Sequence, residues 1–127
     1  MSKRFVINVG GTRAIAVLLE QEAPILSRRI WEILPLGSFS VHAKFAGQEM
    51  IVMVPFYSEP ENELLDVKPG DIGYYPGRQT ICIFYGDTKP FGYVSVFARI
   101  VEQLDDLRAT GDRLLRAGIL PAKLERV

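Results

Sequence analysis

The chain has 127 residues, of which 48% are hydrophobic, and its 15 acidic side chains balance 15 basic ones. This length predicts a single domain over residues 1–127 that buries one substantial core. Binding to a phosphate backbone needs clustered lysine and arginine with a net positive field, so the neutral balance argues against a nucleic-acid partner.

The first part of the chain predicts a hairpin followed by a helix. Phe5 to Val9 is predicted to be a strand with Phe5, Ile7 and Val9 on one face, Gly10-Gly11 is a turn signal, and Thr12 to Leu19 is the returning strand. Pro24 follows an acidic residue and opens a helix whose apolar residues recur at helical spacing. Pro35 ends it, so we expect a helix over Pro24 to Leu34.

The next segment predicts a second hairpin and a long loop. Phe39 to Phe45 alternates so that its phenylalanines share one face of a strand, while His42 and Lys44 lie on the other. A turn over residues 46–49 leads to a returning strand, Met50 to Val54. Pro55 to Pro69 is rich in proline and acids, and we interpret it as a solvated loop without a strand.

A third hairpin follows this loop. Asp71 to Tyr75 and Thr80 to Tyr85 flank Pro76-Gly77-Arg78-Gln79, whose residue types are those of a tight turn. Residues 87–93 contain another proline and glycine and are predicted to form a loop. Val94 to Ile100 is predicted to be the next strand because of its high content of β-branched and aromatic residues.

The C-terminal part predicts a helix and a closing strand. Leucines at helical spacing indicate a broken or two-part helix from Glu102 to about Ala117, with Gly111 inside it. Pro121 to Val127 is expected to pair with the first strand. Several hairpins with two helical segments predict a mainly β fold, namely a closed or nearly closed antiparallel barrel with helices at its ends.

The cysteine and the apolar runs bear on the cellular compartment. Cys82 lies between Ile81 and Ile83 with no histidine or basic neighbour to activate it, so we expect a buried, unreactive thiol. One cysteine forms no internal disulfide, which suits a reducing cytosol. Residues 1–11 lack the apolar run of a signal peptide, and no run reaches the length of a membrane span. We therefore predict a cytoplasmic protein with no membrane partner.

Two blocks of the chain resemble the cyclophilin family. Arg13 to Leu34 is similar to that family's second strand and first helix, and Val96 to Leu107 is similar to its late strand and the segment after it. The resemblance implies a cyclophilin-like barrel. The family's catalytic arginine lies in a Phe-His-Arg triplet, whereas the matching residues here are Val41-His42-Ala43, followed by Lys44. The prolyl isomerase residues are therefore not matched.

The chain looks closer to a group of small microbial cyclophilin-like proteins of unknown function. Their signature resembles Gly-Asp-Val-Gly-Tyr-(Tyr/Trp)-Pro followed by Phe-(Phe/Tyr)-Gly, as in Gly70 to Pro76 and Phe84 to Gly86. This resemblance covers nearly the whole chain and implies the barrel, but it implies no activity.

Aromatic residues gather around the third hairpin and the loop that follows it: Tyr74, Tyr75, Phe84, Tyr85, Phe91 and Tyr93. They either pack in the core and in exposed turns or form the rim of a cleft for a planar or apolar ligand or a peptide. We take Tyr74, Tyr75 and Tyr85 as candidate ligand-binding residues. Arg78, at the hairpin tip, either pairs with a nearby aspartate, Asp71 or Asp87, or binds a ligand carboxylate.

His42 and Lys44 are the remaining candidate ligand-binding residues. They share a strand face that is either a solvated outer surface or a polar wall of the cleft, where His42 could act near neutral pH. His42 is the only histidine, so we expect no metal site, and no nucleotide or cofactor motif is present.

The leading hypothesis is therefore a non-catalytic or weakly catalytic domain that binds a small organic molecule or peptide. One alternative is an enzyme, either a prolyl isomerase with an atypical site or a different activity with His42 as the base. Another is a structural or oligomeric module in which Trp31, beside Arg28-Arg29, contributes to a homo-oligomer face.

Overall fold

Residues 2–127, which the computed structural model describes, form nine strands and two helices. The strands are β1 (Arg4–Val9), β2 (Thr12–Leu18), β3 (Leu36–His42), β4 (Gly47–Met53), β5 (Glu63–Leu64), β6 (Asp71–Tyr75), β7 (Thr80–Thr88), β8 (Val94–Glu102) and β9 (Leu120–Arg126). The helices are α1 (Pro24–Ile33) and α2 (Leu104–Ala117), and one turn of 3₁₀-helix over Pro76–Arg78 joins β6 to β7.

The strands close into an antiparallel barrel. Their order is β2-β1-β9-β3-β4-β7-β6-β8, and β8 pairs with β2 to complete the circle. The short β5 adds to β8 beside β2, where Glu63 pairs with Ser95. This architecture confirms the predicted fold class, and the pairing of β9 with β1 confirms that the last strand closes against the first.

Local sequence explains how the hairpins and helices begin and end. Gly10 and Gly11 both have positive φ, as the tight turn between β1 and β2 requires. Pro24 occupies the first turn of α1. The Glu61 carboxylate accepts hydrogen bonds from the backbone N–H groups of Ile25 and Leu26, at 3.1 and 2.9 Å. Glu61 comes from the loop predicted to be only solvated, and it stabilises the positive end of the helix.

The barrel interior is filled with side chains. Alternate residues of every long strand point inward, and buried leucines of α1 and α2 join them. Helix α2 packs against β2, β3 and β7, and the ring of Tyr85 lies directly against Gly111. Among residues 2–127, neither helix has the length and hydropathy that crossing a bilayer demands.

A second, smaller apolar cluster lies on the outer face of the barrel. In β7, Ile81 and Ile83 belong to the interior core, whereas Cys82 and Phe84 belong to the outer cluster with Val94 and others. Because successive side chains of a strand alternate between faces, the two clusters lie on opposite sides of one sheet. The surrounding loops must therefore cover part of the outer face.

Several local predictions differ from the structure. The strand predicted over Phe39 to Phe45 runs over Leu36–His42, and its polar side faces inward: Ser40 is fully buried while Phe39 is 59% exposed. The predicted turn over residues 46–49 is mostly the start of β4, and the predicted loop contains β5. Helix α2, predicted to be broken, continues through Gly111. The missing side chain of this glycine makes room for the ring of Tyr85.

Candidate functional site

A partly enclosed cavity of about 210 Å³ lies on the outer face of the barrel. It lies between the β4–β7 part of the sheet and two loops, residues 43–46 and 89–93. Its lining consists of His42, Ala43, Phe45, Ala46, Glu49, Ile51, Tyr75, Arg78, Thr80, Cys82, Pro90, Phe91 and Val94. Two wider depressions, of about 610 and 460 Å³, are more open to solvent.

The alternation of side chains along β4 and β7 determines which residues form the floor of this cavity. Met50 and Val52 of β4 point into the barrel, so Glu49 and Ile51 point outward. On the neighbouring β7, Thr80 and Cys82 point outward in the same way. The floor is therefore mostly apolar, with a single carboxylate in it.

Backbone hydrogen bonds hold the two covering loops in place. The N–H of Lys89 donates to the carbonyl of Ala46 at 2.8 Å, which ties one loop to the other. The N–H of Ala43 donates to the carbonyl of Glu49 at 2.9 Å, which ties its loop to β4. The cavity is thus formed without a ligand, as is usual for small-molecule sites.

Aromatic side chains surround the mouth of the cavity. Phe45 is 87% exposed and Phe91 is 75% exposed, while Tyr75 is half-buried beneath the loop that carries Phe91. Isolated exposed apolar residues are common, but two phenylalanines at one opening form a local apolar patch. Covering their rings with a ligand would remove that apolar surface from water.

Glu49 supplies the buried ionisable group of the site. The residue is only 6% exposed, and burial raises the pKa of its carboxyl, while the Cys82 thiol and the Arg78 guanidinium partly offset that effect. Over residues 2–127, Glu49 takes part in no ion pair within 4.0 Å.

Arg78 and Cys82 flank this carboxylate in different ways. Arg78 is exposed at the turn before β7, and within the described chain it forms an ion pair with neither Asp71 nor Asp87; Asp71 pairs instead with Arg99, at 3.4 Å. Cys82 is buried, as expected, and burial together with the Glu49 carboxylate raises its pKa, so the thiol stays protonated.

His42 connects the cavity to the barrel interior. Its Nε2 lies 2.6 Å from the hydroxyl oxygen of Tyr85, and the two rings meet edge to face at 5.6 Å. Burial, and secondly Lys44, lower the pKa of the imidazole, while Asp112 acts in the opposite direction. The ring is therefore neutral near pH 7, and its buried Nδ1 has no hydrogen-bond partner among residues 2–127.

The structure brings together three of the candidates chosen from sequence: His42, Tyr75 and Arg78 line the cavity. Lys44 is exposed and is not part of the lining. Tyr85 is buried in the interior and reaches the site only through its contact with His42.

Tyr74 lies wholly inside the barrel. Its hydroxyl donates to the carbonyl of Phe56 at 2.8 Å and accepts from the N–H of Ser58 at 3.0 Å. Of the two adjacent tyrosines, only Tyr75 faces the cavity, since neighbouring residues of a strand point to opposite sides.

Sequence reasoning missed Glu49 and Phe45. Gln48-Glu49 after a glycine has the composition of a turn, and the sequence predicts a turn over residues 46–49 with no role for Glu49 in a site. One signal in the sequence is the charged side chain itself, because Glu49 stands at an outward-facing position of a strand that is otherwise mostly apolar. In the described part of the chain, no three side chains among His, Cys, Asp and Glu converge as metal ligands.

The fold and the cavity together define a class: a small antiparallel β-barrel domain with a preformed pocket on its outer face. The chain belongs to the DUF3830 family, described as proteins of unknown function, which matches over residues 5–126. No curated protein matches the sequence.

Two solved structures are similar to this barrel. One is McbB in complex with tryptophan, with a TM-score of 0.88 and 20% identity over 96% of this chain; the chain spans 44% of McbB. The other is the solution structure of the hypothetical protein AF2241 from Archaeoglobus fulgidus, with a TM-score of 0.76 and 26% identity over 99% of this chain and 95% of that one. The likeness to McbB is one of fold.

Proposed function

We propose that this protein is a binding domain for a small organic molecule with an apolar or aromatic body, held in the outer-face cavity. The observation that carries the proposal is the buried Glu49 carboxylate in a preformed apolar cavity. Pockets with mostly apolar walls and a few placed polar groups are the usual form of small-molecule sites. At about 210 Å³ the cavity is smaller than the ~300–1,000 Å³ typical of drug-sized ligands, which favours a compact ligand.

Chemical-shift mapping tests this proposal. The ¹⁵N-labelled protein is titrated with small ring compounds, including indole, phenol and tryptophan, the last because McbB of the same fold was solved with it. Binding should shift the amides around the cavity, and Phe91→Ala should weaken it. Phe39→Ala is the matched control, because Phe39 is exposed on β3 and is not part of the cavity lining. Shifts confined to other surfaces would contradict the proposal.

As part of this proposal, we regard the barrel as cyclophilin-like and without prolyl isomerase activity. The resemblance implies that the cyclophilins' catalytic cation is the arginine of their Phe-His-Arg triplet, and the matching residues here, Val41-His42-Ala43, contain no arginine. Lys44, which follows the segment matching the family's catalytic triplet, is exposed and lies outside the cavity lining. A protease-coupled assay on a proline peptide at high protein concentration should show no rate above background; a clear acceleration would favour the enzyme alternative.

The buried, protonated thiol of Cys82 is consistent with a cytoplasmic location.

An oligomeric module is the second candidate. Phe39, Val41 and Met53 are exposed on the outer face of the adjacent strands β3 and β4, which favours contact with another apolar surface. Trp31, in contrast, is half-buried under the guanidinium of Arg126, which stacks 4.7 Å from its ring. Sizing chromatography tests this candidate, and a monomer at high concentration would count against it.

A further inference from the structure

The charges that line the cavity constrain the chemistry of its ligand. Glu49 lines the cavity, is only 6% exposed, and within the described chain forms no ion pair. A buried carboxylate without a strong partner destabilises the protein unless another group compensates its charge. A ligand ammonium would supply both the opposite charge and N–H donors.

Arg78 provides the complementary charge at the mouth of the same cavity. Arg78 and Glu49 line the same cavity, and over residues 2–127 their side chains form no ion pair within 4.0 Å. Groups of a ligand in the cavity can therefore contact both side chains. A guanidinium binds carboxylates through paired N–H groups, so an acid on the ligand has a partner here.

The rim adds the third element of recognition. Phe45, Phe91 and Tyr75 present aromatic surface beside the two charged groups. Aromatic side chains contact planar rings favourably, either offset-stacked or edge to face.

We propose that the ligand is a small aromatic zwitterion of the amino-acid type, with its ammonium on Glu49, its carboxylate on Arg78 and its ring against Phe45, Phe91 and Tyr75. This inference rests on the proposed function, because it assigns a ligand class to the same cavity. Burial raises the pKa of the Glu49 carboxyl, and a bound ammonium would favour the ionised form.

Four compounds with the same phenyl ring separate the contributions of the ammonium, the carboxylate and the ring to binding. They are phenylalanine, 2-phenylethylamine, 3-phenylpropionate and 2-phenylethanol. The amine should bind roughly 10- to 100-fold more tightly than the alcohol, since it meets a buried charged acceptor. Phenylalanine should exceed the amine by only about 2- to 5-fold, because Arg78 is exposed and its ion pair is screened. Affinities are measured by calorimetry and mapped by amide shifts.

Two variants test which residue is responsible for each binding preference. Glu49→Gln keeps the shape of the side chain and should abolish the advantage of the amine over the alcohol, while leaving the alcohol's affinity within about 2-fold. Arg78→Gln should abolish the advantage of phenylalanine over the amine. Glu59→Gln and Arg116→Gln are matched controls at exposed positions outside the cavity, and both preferences should persist in them.

The outcomes separate this inference from the proposed function. If the alcohol binds in the cavity and the amine binds no more tightly, the ligand class is wrong while the binding site stands. The same holds if Glu49→Gln leaves the preference for the amine intact. If none of the four compounds shifts the cavity amides, the inference is overturned, and the ring compounds of the binding test decide the proposed function independently.

Discussion

Replacing Tyr74 by phenylalanine should destabilise the protein without affecting the cavity. The change keeps the ring and its stacking on Phe56, whose centroid lies 5.4 Å away, and removes only the hydroxyl. That hydroxyl accepts from the N–H of Ser58 and donates to the carbonyl of Phe56, so two buried backbone groups lose their partner. Each unsatisfied buried group costs about 1–3 kcal/mol, and we expect a combined loss of about 2–4 kcal/mol.

Urea unfolding and thermal melts measure this loss. For a domain of this size, about 3–5 °C per kcal/mol predicts a fall in Tm of roughly 10 °C. Tyr57→Phe is the matched control, because the Tyr57 side chain is half exposed, and its effect should stay within about 0.5 kcal/mol. Equal effects of the two changes, or loss of cavity binding in Tyr74→Phe, would refute the assignment of Tyr74 to a purely structural role.

Three further changes test other parts of the structure. Burial raises the pKa of Glu49 on folding, so the free energy of unfolding should fall as pH rises above about 4.3, the ordinary pKa of a glutamate. Glu49→Gln should flatten this fall in urea titrations, and the variant should be at least as stable as the unchanged protein at pH 7. Gly111→Ala would overlap the Tyr85 ring and should cost about 1–3 kcal/mol, unlike Gly37→Ala, where the added methyl meets open space. Glu61→Ala removes the cap of α1 and should cost about 0.5–2 kcal/mol in the same unfolding assay.

Strand alternation predicts which residues share a face, but it does not say which face turns inward. In β3 the polar side chains of Ser40 and His42 point into the barrel, and the apolar side chains of Phe39 and Val41 point out. Tyr85 accounts for part of this arrangement, since it gives His42 a hydrogen-bond partner on the inner side. Such a partner lies 43 residues away in the sequence, and local pattern carries no information about it.

The loop over residues 55–69 shows the same limit. Its acids and prolines correctly predict exposure at most positions, but Glu61 reaches back across the fold to cap α1, and Asn62 donates its side-chain N–H to the carbonyl of Val96. The composition of a segment predicts whether it is exposed to water, but not which contacts it makes. The contacts that fix it depend on which elements the barrel brings near, and here those are α1 and β8.

The position of the candidate site follows from the size of the barrel. An eight-stranded barrel has an interior just wide enough for side chains to fill it, and here Phe5, Tyr74, Tyr85 and Phe97 occupy that space. A ligand of any size would have to displace this core, so a binding site is more easily formed on the outer face, where loops already enclose a cavity. Of two adjacent tyrosines, the inner one therefore stabilises the fold, and Tyr75 lines the outer cavity.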